Sequence, residues 1–216
     1  MDERGLDAMT DAYRVAQQAV PGIKMALAGN YHKELADKLY DYCVAYEQHF
    51  TDAELSMRNA KGWITTTYTA CPDSEPNVCS NNSPADAAYL PIYCLANGFN
   101  GFLRWAWMNW TDAPLQDTRF RMFTPGDTYM VYPGGRSSIR FERVLEGIQQ
   151  TEKVRLLREE YTQTGNIIEL QRLNELVSDF ASGTVSAEKP SSFYVERLES
   201  LLNDIPQKTF GKSIER

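Results

Sequence analysis

Leu6, Met9, Tyr13, Ala16 and Val20 recur at the spacing of one helix face, and Pro21-Gly22 breaks that pattern. Ile23 to Ala28 then reads as a buried strand stopped at Gly29-Asn30. Glu34 to Cys43 returns to helical spacing, with Leu35, Leu39 and Tyr42 or Cys43 on one face, and Val44 to Phe50 is a short strand. Thr51-Asp52-Ala53-Glu54 forms a capping box, because a threonine hydroxyl and a glutamate three residues on can satisfy each other's backbone N–H groups. The helix it opens closes at Gly62. Trp63 to Thr69 is β-branched and aromatic, the composition of a strand.

Cys71 to Asn82 is a polar loop. Ser83-Pro84 supplies an N-cap and a proline at the first helical position, predicting a helix over 85–96 that ends at Asn97-Gly98. Gly101 to Trp107 reads as the next strand, and Ser138 to Glu160 as a long helix with Phe141, Val144, Leu145 and Ile148 on its face. Between them, Thr111 to Gly135 is irregular and too long for a simple connector, which marks it as a functional loop. Strand and helix alternate, so the expected class is α/β with a parallel sheet and a site at the carboxyl ends of the strands. Past Gly165 the pattern changes to two helices, one carrying Leu170, Leu173, Val177 and Phe180 and the other Tyr194, Leu198, Leu201 and Ile205. A Gly/Ser/Pro linker over 182–192 joins them.

Charge narrows the partners. Lys plus Arg number 22 against 29 Asp plus Glu, a formal net charge of −7, and the basic residues are scattered, so nothing favours a nucleic-acid partner. No apolar run reaches the roughly 18 to 20 residues that span a bilayer. Two histidines, His32 and His49, and four cysteines show no metal-ligand spacing, so neither a metal nor another cofactor is expected. Cys43 and Cys94 read as core. Cys71 and Cys79 flank a loop that a disulfide would staple, with a pair of free thiols as the other reading. Aromatic residues are the compositional excess: 12 Tyr, 9 Phe and 4 Trp, with Trp105, Trp107 and Trp110 close together.

The run Gly101-Phe102-Leu103-Arg104-Trp105-Ala106, followed by Trp110, Pro114-Leu115 and Asp117-Thr118-Arg119-Phe120, resembles the C-terminal part of the catalytic domain of glycoside hydrolase family 123. So do Gly126 to Gly134, Ser137 to Arg143, Glu146-Gly147-Ile148, and Ala28-Gly29-Asn30-Tyr31-His32. The resemblance covers roughly residues 1 to 160. It implies a retaining N-acetylhexosaminidase that removes N-acetylgalactosamine, with an adjacent Asp-Glu pair at the end of a barrel strand. The matching pair is Asp2-Glu3. By that resemblance Glu3 is the general acid/base, and Asp2 orients and polarises the 2-acetamido group, whose oxygen replaces an enzyme nucleophile. Glu3 must hold its proton near neutrality, which asks for burial or a neighbouring negative charge such as Asp2. The resemblance also suggests a periplasmic or extracellular setting.

In this light the aromatics divide. Trp107 is expected in the core, whereas Trp105 and Trp110 suit an apolar platform under a sugar ring. Tyr68 and Tyr132 are candidate hydrogen-bonding wall residues, and Asn30 serves either a sugar hydroxyl or a turn. Met108 departs from relatives that carry a polar residue there. The implied fold is the C-terminal part of a (β/α)8 TIM-type barrel with parallel strands over residues 1–160, plus a C-terminal helical appendage and tail over 161–216. A complete barrel takes about 250 residues, so a fragment is expected, which self-associates or packs against a missing N-terminal half. The expected partner is a glycan with a 2-acetamido sugar. The alternative is a non-catalytic carbohydrate-binding or structural barrel domain.

Overall fold

A computed structural model describes residues 4–70, 76–181 and 185–204. In chain order the elements are α1 (Leu6–Ala19), β1 (Ala26–Gly29), β2 (Asp41–Ala45), α2 (Asp52–Ala60), β3 (Ile64–Tyr68), α3 (Pro84–Ala96), β4 (Gly101–Phe102), α4 (Ile139–Thr164), α5 (Ile167–Ala181) and α6 (Ser191–Asp204). The strands form one sheet, all parallel, in the order β1-β2-β3-β4. Each strand thus pairs with the next one in sequence. The α/β class and the parallel sheet are as the alternation of elements predicts.

Local chemistry sets several boundaries. The Thr51 hydroxyl accepts from the Glu54 backbone and the Glu54 carboxylate accepts from Thr51 N–H, so the capping box forms and opens α2. Ser83 caps α3 with Pro84 at its first position, and Ser138 caps α4. The predicted helix over 34–43 is corrected. A short 3-10 turn at Lys33–Leu35 is followed by turns over 36–40 and then by β2, and the predicted strand over 44–50 ends at Ala45. Pairing decides this: Tyr42 lies between Leu27 and Thr65, and Val44 between Gly29 and Thr67, so β2 satisfies its backbone on both sides.

Arg58 makes that helix-free connection possible. Buried on α2, it donates from Nη1 to the carbonyls of Ala36 and Leu39, both at 2.8 Å, from Nη2 to Ile64 at 2.6 Å, and from Nε to the Thr65 hydroxyl at 2.7 Å. Carbonyls that a helix would have satisfied internally are satisfied by one guanidinium. Burial holds the Arg58 pKa below its ordinary value.

Alternation along the strands separates two faces. Leu27, Tyr42 and Val44 belong to the main core with Ala88, Tyr89 and Ile92 of α3. The same buried cluster continues through Leu173, Val177 and Phe180 of α5 and Tyr194, Leu198 and Leu201 of α6. On the opposite face lie Ala28, Cys43, Thr66 and Gly101 in register, flanked by Ala26, Ala45, Ile64 and Tyr68, which are half-buried or exposed. α3 and α4 cross closely at Gly147, where a Cβ would overlap the Ala88 carbonyl. α4 buries Val144, Gly147, Val154, Leu157 and Tyr161 and leaves Leu145 and Ile148 exposed, which corrects the predicted core face.

Candidate functional site

β4 is only two residues long, shorter than the predicted run over 101–107. Its last ladder bond is Leu103 N–H to the Thr67 carbonyl, after which Arg104 turns inward and leaves the sheet. The chain beyond it leaves the carboxyl end of β4 and forms a layer made from two motif segments. Residues 105–110 run against 127–132: Asn109 N–H donates to Thr128, Met130 and Val131 N–H donate to Trp107, and Met108 faces Tyr129 in an antiparallel bridge.

Two buried arginines fasten this layer. Arg104 pairs with Asp127 at 2.9 Å, with both side chains buried, and also donates to the Asp127 carbonyl. Arg140, in the first turn of α4, donates to the carbonyls of Val78 and Gly126, both at 2.7 Å, and of Tyr129 at 2.9 Å. Desolvation lowers the Arg140 pKa. Gly126 has φ +78° and no room for a side chain, because a Cβ would overlap the Ser80 hydroxyl. The Cys79 thiol reaches Asp127 at 3.9 Å and Ser80 N–H donates to Pro125 at 2.7 Å, tying in the loop before α3.

Energetically the arrangement is uneven. Nε and Nη1 of Arg104 are buried without a partner, as is the Thr128 hydroxyl. Each buried unpaired polar group costs about 1–3 kcal/mol, and a buried ion pair is close to neutral for stability. Arg104 and Asp127 therefore hold shape more than they add stability.

The tryptophans sit on this layer. Trp105 Nε1 donates to Asp127 Oδ2 at 2.8 Å and its ring leans on Phe123 at 5.2 Å; Trp110 Nε1 donates to the Val131 carbonyl at 2.7 Å. Their polar edges are tied down while the rings are 46% and 40% exposed. Trp107 is 38% exposed and meets Phe141 edge-on at 5.9 Å, so its expected core placement is corrected: the strand that would have turned it inward stops five residues earlier. Tyr132 lies in the same layer, bridged to Arg136 and edge-on to Tyr129 at 5.2 Å.

Other expected site residues lie apart from the layer. Asn30 is in a turn network, its side chain accepting from Gln48 Nε2 at 2.8 Å and its carbonyl from the Tyr42 hydroxyl at 2.7 Å. Tyr68 ends β3, half-buried, in register with Ala45. Asp2 and Glu3 lie outside the described residues. Cys79 is buried, and Cys71, its partner in the disulfide reading, lies outside the described residues; Cys43 and Cys94 are buried free thiols. Burial pushes the Cys43 thiol up to about 12. No cluster of three His, Cys, Asp or Glu able to hold a metal occurs among the described residues, and among them no helix is long and apolar enough to cross a membrane. A cavity of about 520 Å³ lies elsewhere, lined by residues of α5 and α6 that include the Arg197–Asp179 ion pair.

Sequence reasoning missed Asp127 and Arg104 as site-building residues. The available signal was an acid next to glycine inside an irregular loop, and an arginine where a strand meets two nearby tryptophans.

These features define a class: an α/β domain of sequentially paired parallel strands, the last of which leads into a hydrogen-bonded layer presenting anchored aromatic rings. Comparison with known proteins narrows it. The glycoside hydrolase 123 catalytic domain family matches residues 1–157, and the chain belongs to that family. Among solved structures, a family 123 glycoside hydrolase from Clostridium perfringens, studied for glycolipid glycan hydrolysis, superposes with a TM-score of 0.74 at 22% identity. The match covers 94% of this chain and 39% of that one, so this chain spans about two fifths of that enzyme's length. No curated protein matches.

Proposed function

We propose that this chain is the C-terminal part of a (β/α)8 barrel of a retaining N-acetylhexosaminidase acting on N-acetylgalactosaminides. Singly wound order, with each parallel strand beside its sequence neighbour, is the winding of a barrel and not of a doubly wound sheet. The observation that carries the glycan reading is the pair of anchored, half-exposed tryptophans beyond β4 of a family 123 domain. Flat apolar rings with tied polar edges suit the C–H face of a pyranose.

In this reading Glu3 protonates the leaving oxygen, then takes a proton from water in the second step. Asp2 holds the 2-acetamido group so that its carbonyl oxygen attacks the anomeric carbon, and it balances the positive charge that develops. Trp105 and Trp110 form the platform. Tyr132, in the same layer, is a weaker contributor, and Tyr68 and Asn30, outside that layer, are the remaining candidates for hydrogen bonds to the sugar.

Release of nitrophenol from a nitrophenyl N-acetylgalactosaminide tests this. Turnover is expected from the acetamido sugar, is lost in Glu3→Gln, and is absent with the plain galactoside. Equal turnover of both sugars excludes participation of the acetamido group. Sugar binding that survives Glu3→Gln, with no hydrolysis in the unsubstituted chain, assigns the domain to carbohydrate binding alone.

A further inference from the structure

Asp127 divides its two carboxylate oxygens between a cation and an indole. Oδ1 accepts from Arg104 Nη2 at 2.9 Å and Oδ2 accepts from Trp105 Nε1 at 2.8 Å. The carboxylate is fully buried, whereas the ring it holds is nearly half exposed. A bond made in the interior therefore sets the attitude of a surface ring. We propose that Asp127, held in place by Arg104, is a positioning residue that fixes Trp105 as a stacking platform for a pyranose; this rests on the glycan reading above.

Three observations carry it. An indole N–H bound to an ionised carboxylate is a charge-assisted bond, stronger and more directional than one to a neutral acceptor. The carboxylate itself has little freedom, because Gly126 beside it is locked at φ +78° with its carbonyl bound by Arg140. Arg104 remains in place although Nε and Nη1 are buried and unpaired, an arrangement that favours orientation over stability. Trp110 takes its orientation from a backbone carbonyl instead, so the two rings are set independently and a change at 127 is specific to Trp105.

The test uses the full chain and two readouts. In 1H–15N spectra the Trp105 indole signal, assigned by its loss in Trp105→Phe, is expected to exchange slowly with solvent. In Asp127→Asn it moves to an exposed position and exchanges fast, while the indole signals of Trp63, Trp107 and Trp110 stay. An unmoved Trp105 signal overturns the proposal. Calorimetry with N-acetylgalactosamine is the second readout: Trp105→Phe and Asp127→Asn each weaken binding about ten- to hundredfold, and the double variant loses no more than the worse single one. Additive losses overturn it. Should Asp127→Asn fail to fold, Asp127→Glu, which keeps the charge but displaces the oxygens, enters the same two measurements. If the unsubstituted chain binds no sugar, the glycan reading fails by itself, and the indole signal separately decides whether Asp127 sets the ring.

Discussion

The Ser191 hydroxyl, at the start of α6, donates to Asp86 Oδ1 in the first turn of α3 at 2.6 Å, joining residues 105 positions apart in the buried interior. The other oxygen, Oδ2, accepts from Asn77 N–H at 3.1 Å and Asn82 Nδ2 at 3.2 Å. One buried carboxylate thus links the loop after β3 to the last helix. Ser191→Ala is expected to destabilise the chain by about 1–3 kcal/mol, because the buried Asp86 carboxylate loses one of its donors. Asp86→Ala should cost more, since it strands donors on both sides. Urea unfolding of the two variants checks the order, and equal or negligible losses would contradict it.

Gly147 is where α4 comes closest to α3. Gly147→Ala would ordinarily favour a helix, yet its Cβ meets the Ala88 carbonyl, which is backbone and cannot swing away. The expected result is a net loss of up to about 2 kcal/mol, because an overpacking cost of about 1–3 kcal/mol is only partly offset by the propensity gain of about 1 kcal/mol. Thermal melting reads the sign directly. A stabilised variant would show that the two helices separate without penalty.

Glu146 on α4 and Glu199 on α6 face each other through Arg143 and Gln150. Gln150 Nε2 donates to Glu199 at 3.0 Å and to Glu146 at 3.3 Å, and Arg143 pairs with both carboxylates. Burial, then the hydrogen bond with Glu199, raises the Glu146 pKa above its ordinary 4.5. A carboxyl whose folded pKa is raised binds its proton better in the native state. Its stabilising contribution is therefore present at acid pH and is lost as pH rises from the ordinary value through the raised one. The effect is below about 1 kcal/mol, since the groups are partly solvated. Glu146→Gln should gain stability relative to the unsubstituted chain as pH goes from 4 to 7, measured as the difference in urea midpoints; a difference independent of pH would refute this.

An open sheet has consequences for association. Among the described residues, β1 and β4 each have one unpaired edge, the sheet face carrying Ala28, Thr66 and Tyr68 is incompletely covered, and Val15 of α1 with Ile148 of α4 are exposed. We expect the chain to self-associate or to bind a complementary half barrel. Light scattering should give a mass above that of one chain. A clean monomer with a single cooperative unfolding transition would count against it.

Much of the architecture is local and was therefore legible in the sequence. Thr51 with Glu54, Ser83 with Pro84, and the β-branched run through Thr65 to Thr67 specify their elements within a few residues, because caps and side-chain sterics act over one turn or one strand. The family motifs around Trp105 and Asp127 were also readable as motifs. Tertiary structure alone decided the rest. Leu35, Leu39 and Tyr42 have helical spacing, yet β2 forms because its neighbours on both sides supply hydrogen bonds and Arg58 satisfies the stranded carbonyls. Trp107 faces outward because β4 ends where Arg104 turns toward an acid 23 positions away. No local pattern reveals that Asp127 is the partner of Trp105, since that pairing exists only once two distant loop segments are laid side by side beyond β4.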